Sequence, residues 1–282
     1  LALFRIQHPD DRAALLQILR RRISTAGTAL IGIVVAILVW SAALNQPDGK
    51  MHVWFLDVGG HAVLIQTPQG GQILVDGGAY PTRLRRAIGD ELPFWDRTLD
   101  MVIVTQPKNS AIQAIPALLD NYDVQTALTH AQPADHAAAL ALADAWKKHD
   151  IPVRTVQAGH RIETGDGVTI EILHPQTAPS EDDAWEDVAV VLRVSYGDAA
   201  VLIVPDLTTE GESALLEAGW YVGSTVLELP YHGSDRANSE EFLAAVNPQI
   251  TVANISAGSR AGQIDPDVID RLRAVSDGPL YR

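Results

Sequence analysis

The chain contains no cysteine, only two methionines and only four phenylalanines among its 282 residues. The absence of cysteine excludes disulfide bonds and thiolate metal ligands, and it is compatible with an extracytoplasmic location without establishing one. Basic residues are scarce as well, with 21 lysines and arginines against 35 aspartates and glutamates and a formal net charge of −14. A metal site in this chain would have to use nitrogen and oxygen ligands.

The scarcity of positive charge is greatest beyond residue 45. Residues 1–45 hold five of the 21 basic and two of the 35 acidic residues, which leaves 16 basic and 33 acidic residues and a formal charge of −17. A field of this sign repels polyphosphate, so tight nonspecific nucleic-acid binding by the whole surface is disfavoured. A local basic groove around Arg83, Arg85, Arg86 or Arg236 stays compatible with this charge.

Charged residues are absent from residues 23–44, a run of 22. At about 1.5 Å rise per residue, a helix of this length covers the ~30 Å hydrocarbon core of a bilayer. Arg20, Arg21 and Arg22 directly precede the run, and Trp40 lies near its other end. This asymmetry predicts a transmembrane helix at residues 23–45, a cytoplasmic connector at residues 1–22 and an extracytoplasmic C-terminal part in the cell membrane. A cleaved signal peptide and a buried core helix are the alternatives.

Residues 46–282 are numerous enough to bury a sizeable core, and we predict a single domain there. The chain starts with leucine and stops after a turn-like Asp277-Gly278-Pro279. We therefore expect a fragment of a longer protein, truncated at its C-terminus.

Short β-rich runs and helical periodicities alternate along this domain. We predict strands at residues 51–57, 62–67, 72–76, 101–105, 124–128, 153–156, 168–173, 188–195 and 200–204. Helical spacing occurs at residues 111–119 and 134–148. Capping-box signals mark Thr209 with Glu212 and Asn238 with Glu241, and Asp265 precedes a proline at the first helical position. The pattern predicts a layered α/β domain with two similar halves.

Five segments carry a family resemblance, and they include LDVGGHAVLI, VTQPKNSA and LPYHGS. They occupy, in order, residues 56–78, 100–119, 191–206, 227–249 and 259–272. Together they resemble the C-terminal metallo-β-lactamase-like domain of ComEC-type DNA-internalisation proteins. The resemblance implies an αβ/βα sandwich with ligand loops at one edge of two facing sheets. It also implies that the domain follows the last membrane helices of a polytopic channel, which would be its partner.

The loop after the predicted strand at 101–105 departs from this family. Members with a metal site typically have His-Pro-His-Ala-Asp-His there, because a metal that ionises water needs several ligands from one loop. The four ligand positions of that motif are occupied here by Gln106, Lys108, Ser110 and Ala111. Other departures are Tyr231 at a usual histidine, Gln263 and Asp265 at late histidines, and a shortened signature at residues 57–61 that ends in His61.

Three residues of the family pattern survive, Asp76, Asp206 and His232. The resemblance matches Asp206 to a bridging aspartate and His232 to a late histidine. They fall short of the convergent ligand set that a catalytic zinc ion requires. We therefore predict no metal, no cofactor and no confident catalytic residue. The remnant of the site would consist of Asp76, Gln106, Lys108, Asp206 and His232. Ordinary roles also suit the survivors, since Asp76 precedes two turn glycines and His232 precedes Gly233.

Lys108 suggests a specific hypothesis, because it replaces a histidine in a pocket that should still hold Asp206 and Asp76. Carboxylates grouped for a metal repel each other without it, so an ammonium among them would restore charge balance. The alternative is a solvent-facing lysine on the loop, and an Nζ beyond ~4 Å of every carboxylate would support that alternative.

Several other polar residues look like sites but have simpler explanations. His130, Asp135 and His136 surround a proline and do not converge by helix geometry, so loop and helix-start roles are expected. His160 and His174 lie beside strands and are expected to be structural. Ser234 lacks an acyl-enzyme motif, which argues against a serine hydrolase.

Three functions remain open. The first is an inactive, membrane-tethered domain that docks to a ComEC-like uptake channel or guides single-stranded DNA. The second is a residual phosphodiesterase or nuclease using zinc or manganese on a rearranged set such as His61, His232, Asp206 and Asp265. The third is an envelope scaffold without a nucleic-acid role. No small-molecule substrate is predicted.

Overall fold

The computed structural model describes residues 25–44, 47–129, 136–178, 184–255 and 264–282. The chain divides into two compact units, residues 1–46 and residues 47–282. The first unit contains helix α1, Thr25–Leu44, which has no charged residue in its first or last turn. Within the described residues, no helix combines the length and apolar character that crossing a bilayer requires. The span at residues 23–45 stays a prediction, and the connector at residues 1–22 lies outside the described residues.

The second unit contains a six-stranded sheet with the order β1-β2-β3-β5-β7-β8. Strands β1 to β3 pair antiparallel, whereas β3, β5, β7 and β8 run parallel. The bounds are β1 His52–Phe55, β2 Val63–Gln66, β3 Gln72–Val75, β5 Met101–Val104, β7 Ala127–Thr129 and β8 Val153–Thr155. A separate two-stranded sheet joins β4 Thr98–Leu99 and β6 Asp123–Val124.

A seven-stranded sheet has the order β15-β14-β13-β12-β11-β10-β9. It repeats the same design, with β9 to β12 antiparallel and β12 to β15 parallel. The bounds are β9 Arg161–Glu163, β10 Val168–His174, β11 Val191–Tyr196, β12 Ala199–Ile203, β13 Val226–Glu228, β14 Ile250–Val252 and β15 Leu280–Tyr281. The two similar halves expected from the sequence are these two sheets with their helices.

Helices cover the outer faces of both sheets. They are α2 Pro81–Glu91, α3 Asn109–Ile112, α4 Ile115–Leu118, α5 Ala137–Lys148, α6 Thr209–Glu217, α7 Glu240–Val246 and α8 Pro266–Val275. Two 3₁₀ turns, Trp185–Asp187 and Pro230–Gly233, stand near the ends of strands.

Alternation along the strands builds the layers, because successive side chains point to opposite faces. Val63 and Ile65 of β2 belong to the core between the sheets, together with Ile170 and Leu192 of the second sheet. Leu64, between them, packs with the helices outside the first sheet. A third cluster fills the space between the second sheet and its helices. The observed order of layers is the predicted αβ/βα sandwich.

Local predictions needed several corrections. The helix predicted at residues 111–119 is two short helices, because Pro116 in the second cannot donate a backbone hydrogen bond. Asn238 is not the cap of α7; Ser239 caps it by accepting from the Phe242 N–H. Glu212 does not close a capping box in α6 but accepts from the backbone N–H groups of Asn238 and Ser239. Asp265 caps α8 as predicted.

Candidate functional site

The candidate site lies where parallel strands of both sheets reach their carboxyl ends. Asp76 follows β3, and Gln106 and Lys108 follow β5 in the first sheet. Asp206 follows β12, and Glu228 is the last residue of β13 in the second sheet. Ligand sites in α/β proteins commonly form at such edges, since the loops after parallel strands meet there.

Lys108 forms an ion pair with a buried carboxylate of the second half. Its Nζ lies 2.6 Å from Oδ2 of Asp206. The side chain of Asp206 is 2% exposed and that of Lys108 is 37% exposed. The ion pair expected from the sequence is therefore present. Asp76 differs from the expectation, because its carboxylate is engaged by His61 and Thr105.

Two aromatic rings flank the ammonium group of Lys108. Its Nζ lies 4.9 Å from the ring centroid of Trp185 and 5.5 Å from that of Tyr231. The Tyr231 ring also contacts a second cation, since the guanidinium of Arg236 lies 4.7 Å from its centroid. Such contacts stabilise cations through the negative faces of the rings. Burial, with the nearby charges of Glu186 and Asp206, raises the pKa of the Tyr231 hydroxyl.

His232 approaches the other oxygen of Asp206. Its Nε2 lies 3.6 Å from Asp206 Oδ1, and its side chain is about one-third exposed. Tyr231, His232 and Gly233 have φ angles of 51°, 56° and 83°, so three consecutive residues adopt left-handed backbone. Such conformations are unfavourable for residues other than glycine and occur often at functional sites. His232 is thus held at the site by a strained turn.

A second cluster, centred on His61, is fully enclosed. His61 Nδ1 lies 2.7 Å from Oδ2 of Asp76, and Nε2 lies 2.8 Å from Oε2 of Glu228. Asp76 also accepts the backbone N–H of Thr105 at 2.8 Å and the Thr105 hydroxyl. His61, Asp76, Thr105 and Glu228 are each at most 3% exposed. His61 therefore joins two carboxylates that have no access to bulk water.

The charge of this cluster follows from competing effects. Burial lowers the pKa of His61, but the charge of Glu228 and the hydrogen bonds to Asp76 and Glu228 outweigh burial. The net result raises the pKa of His61 well above its ordinary value. Burial raises the pKa of Asp76, against the hydrogen bonds from His61 and Thr105 that lower it. The carboxylate on each ring nitrogen, together with the raised pKa, favours the imidazolium form of His61.

The altered loop is fixed by its backbone. The carbonyl of Ser110 accepts from the His61 N–H at 3.0 Å, and that of Ala111 accepts from the N–H groups of Gly77 and Gly78 at 2.6 and 3.1 Å. Gly60 is required at this contact, since a Cβ there would lie 1.9 Å from the Ser110 carbonyl oxygen. Gln106 is 1% exposed. Its Oε1 accepts no hydrogen bond from any described residue.

The donor set does not fit the dinuclear metal centre that the resemblance implies. Lys108 is a cation that occupies an oxygen of Asp206, and both nitrogens of His61 are engaged by carboxylates. Asp265 accepts from the Asp267 N–H at the start of α8. Among the described residues, no group of three histidine, aspartate or glutamate side chains is arranged to hold a metal ion. Gln263 lies outside the described residues.

The other predicted polar residues have local partners. His136 Nε2 is hydrogen-bonded to the Pro107 carbonyl, whereas His130 and Asp135 lie outside the described residues. His160 accepts from the Gln157 N–H, and His174 donates to the Ala189 carbonyl at 3.0 Å. Burial lowers the pKa of His174. Ser234 donates to Asp235, its neighbour, at 3.3 Å. These contacts are structural.

Sequence reasoning missed Glu228 and Trp185. Glu228 directly follows two apolar residues at the end of the strand Val226–Glu228. A carboxylate in such a buried position needs a hydrogen-bonding or charged partner, and this need is the signal that could have identified it. Trp185 lies in an acidic segment without periodicity, and no local signal indicates that its ring reaches Lys108.

Comparisons with known proteins place the chain. No family model matches it. Competence protein ComA of Neisseria gonorrhoeae is 38% identical over 110 residues, covering 39% of this chain and 16% of that protein. ComE operon protein 3 of Bacillus subtilis strain 168 is 24% identical over 224 residues, covering 72% of this chain and 28% of that protein. The chain thus spans less than a third of the length of these curated relatives.

A solved structure supports the fold. The metallo-β-lactamase fold protein YhfI from Bacillus subtilis has a TM-score of 0.51 at 14% identity, covering 82% of this chain and 96% of that one. At this identity the likeness concerns the fold alone. Together with the competence-protein relatives, it confirms the resemblance noted in the sequence. Residues 47–282 have a metallo-β-lactamase-like fold, and the chain is similar in sequence to competence proteins of the ComEC type.

Proposed function

We propose that this domain is a non-catalytic, membrane-tethered part of a DNA-uptake protein that docks to the channel or guides single-stranded DNA. The observation that carries the proposal is the position of Lys108 Nζ, 2.6 Å from Asp206. A catalytic zinc ion needs about three protein ligands and one open position. An ammonium on the surviving aspartate, in a loop without imidazole or carboxylate, supports a site that has lost this chemistry.

A local surface beside the remnant site supports contact with single-stranded DNA. Arg236 and Lys108 stand on the Tyr231 ring, with Trp185 on the other side of Lys108. Basic groups combined with aromatic rings are the usual elements of single-strand binding, because the rings stack on bases and the cations face phosphates. The arginines of α2 are less suited, since Arg83 pairs with Asp57 and Arg86 with Asp90.

Membrane attachment is the second part of the proposal. The uncharged run at residues 23–44 and the three preceding arginines support an anchor with the domain outside the cytoplasm. The competence-protein relatives suggest membrane association in general. A cysteine introduced in the domain, for example Tyr221→Cys on an exposed tyrosine, would be the single thiol of the chain. We expect an impermeant maleimide to label it in intact cells; labelling only after lysis would contradict the proposed orientation.

The decisive experiment measures metal content and DNA cleavage on one sample. The chain is purified without chelator, supplied with zinc or manganese, and incubated with labelled single-stranded DNA. We expect substoichiometric metal and intact DNA that is retained at low salt. Stoichiometric metal with cleavage would instead support a residual nuclease built on a rearranged ligand set. Intact DNA that is not retained would support an envelope scaffold.

A further inference from the structure

Two basic side chains of the candidate site, His61 and Lys108, each contact a carboxylate of the other half. His61, in the loop before β2, belongs to the first sheet, as does Asp76 after β3. Its second partner, Glu228, ends β13 of the second sheet. Lys108 follows β5 of the first sheet, and its partner Asp206 follows β12 of the second. Positive charge thus bridges the halves at two places along one edge.

Both bridges lie in the region where the side chains present do not fit a metal centre. Asp206 matches a ligand position of the family, yet its oxygen is bound by Lys108. Asp76 and Glu228 are buried at 0% and 1% exposure and would repel each other without a cation between them. A buried carboxylate without a compensating partner is strongly unfavourable, so loss of a metal creates a demand for positive charge.

We propose that His61 and Lys108 take the place of a two-metal centre, each supplying one cation that ties the first half of the sandwich to the second. The fold then keeps the cohesion that ligand loops share through metal ions while needing no metal to fold. This differs from ordinary buried hydrogen bonding, because the stabilisation depends on charge and acts between the halves. The inference concerns stability and does not depend on whether the domain contacts DNA.

The sharpest test removes one protein cation and returns it from solution. The variant His61→Gly leaves a ring-sized space between Asp76 and Glu228. We expect its melting temperature to fall by roughly 10 °C, since breaking a buried ion pair is among the largest single-residue effects. Imidazole at pH 6, where it is mostly a cation, should restore part of this loss, and imidazole at pH 8.5 should restore less.

His174→Gly is the matched control. His174 is also buried, at 2% exposure, but its Nδ1 donates to a backbone carbonyl instead of a carboxylate. We expect imidazole to rescue this variant less at pH 6 than at pH 8.5, because no carboxylate selects the charged form and burial favours the neutral ring. A stronger rescue of His61→Gly at pH 6 than at pH 8.5, absent from the control, supports the proposal; equal rescue at both pH values overturns it.

A milder variant covers the case in which His61→Gly does not fold. Glu228→Gln keeps the shape and removes one charge, and native-state hydrogen exchange then reports how the halves open. We expect amides of the first and second sheets to exchange with separate opening free energies in this variant, and with one shared value in the unmodified chain. Unchanged shared opening would overturn the proposal.

Metal dependence gives the last readout. Zinc chloride or EDTA should shift the melting temperature of the unmodified chain by less than about 1 °C, because the cation positions are filled by side chains. A large rise with zinc would overturn both this inference and the non-catalytic proposal. Loss of DNA retention with intact charge coupling would overturn only the proposed function.

Discussion

The two cations of the candidate site differ in what surrounds them. His61 is enclosed, with a carboxylate on each ring nitrogen and no more than 4% of its side chain exposed. Lys108 meets one carboxylate and two aromatic rings, and 37% of its side chain faces solvent. Water screens the second arrangement and not the first, so equal formal charges have unequal consequences. The His61 cluster should govern stability, and the Lys108 cluster should govern contact with other molecules.

The largest effect should come from His61→Leu. The substitution leaves Asp76 and Glu228 buried and facing each other without a cation. We expect a loss of about 3–5 kcal/mol in the free energy of unfolding, measured by urea denaturation. The exposed histidine His160 provides the control, since His160→Leu should change stability little. A loss below about 1 kcal/mol for His61→Leu would remove the contrast between the clusters.

The pH dependence of stability should sharpen the same contrast. The folded-state pKa of His61 is raised above its unfolded value, so the folded chain binds this proton more tightly. The resulting stability is fully present below pH ~6.5 and is lost as pH rises through the folded pKa. Urea midpoints measured from pH 6 to pH 10 should fall with pH in the unmodified chain. The fall should be smaller in His61→Leu; equal slopes would contradict the assignment.

Lys108→Met should have a smaller effect on stability. The substitution leaves Asp206 without its ammonium partner, but solvent reaches part of this site. We expect a loss of about 1–2 kcal/mol, after allowing for screening. Lys148→Met is the control, because the Lys148 and Asp120 side chains are both mostly exposed, and it should leave the melting temperature unchanged. A loss as large as that of His61→Leu would show that exposure does not separate the two clusters.

The smallest change should appear in DNA binding by Arg236→Ala. Arg236 stands on Tyr231 beside Lys108 and contributes one cation to the aromatic surface. We expect weaker single-strand binding and a shallower salt dependence, by about one phosphate contact, at unchanged stability. Fluorescence anisotropy at several salt concentrations measures both. Arg154→Ala, on an exposed arginine of β8, is the control and should bind as the unmodified chain does.

The sequence predicted those features that depend on local periodicity and motif position. Strand alternation located the six strands of the first sheet but only β10, β11 and β12 of the second. The lysine in the altered loop indicated an ion pair with Asp206. The partner of Asp76 was not predicted, because no local pattern shows that His61, fifteen residues earlier, fills the space beside it. Glu228 was missed for the same reason, since it reaches His61 across 167 residues of sequence.

Helix α2 was also missed. Its signals are weak but physical, with Pro81 at its first turn and Leu84 and Ile88 four residues apart on the buried face. The composition of this segment, with Arg83, Arg85 and Arg86, suggested a basic groove, whereas its apolar spacing indicates a helix. The number of charged residues indicates what a surface can bind, whereas the spacing of apolar residues indicates which secondary-structure element forms that surface.

The loop at residues 106–111 is anchored through its backbone, and this affects how its sequence can evolve. Backbone carbonyls of Ser110 and Ala111 hold the loop to its neighbours at His61, Gly77 and Gly78. Main-chain contacts are inherited whatever residues are encoded there, so ligands could be lost one codon at a time while the scaffold persisted. The same property makes this loop a natural place for a protein engineer to reintroduce histidines, provided that Lys108 is replaced first.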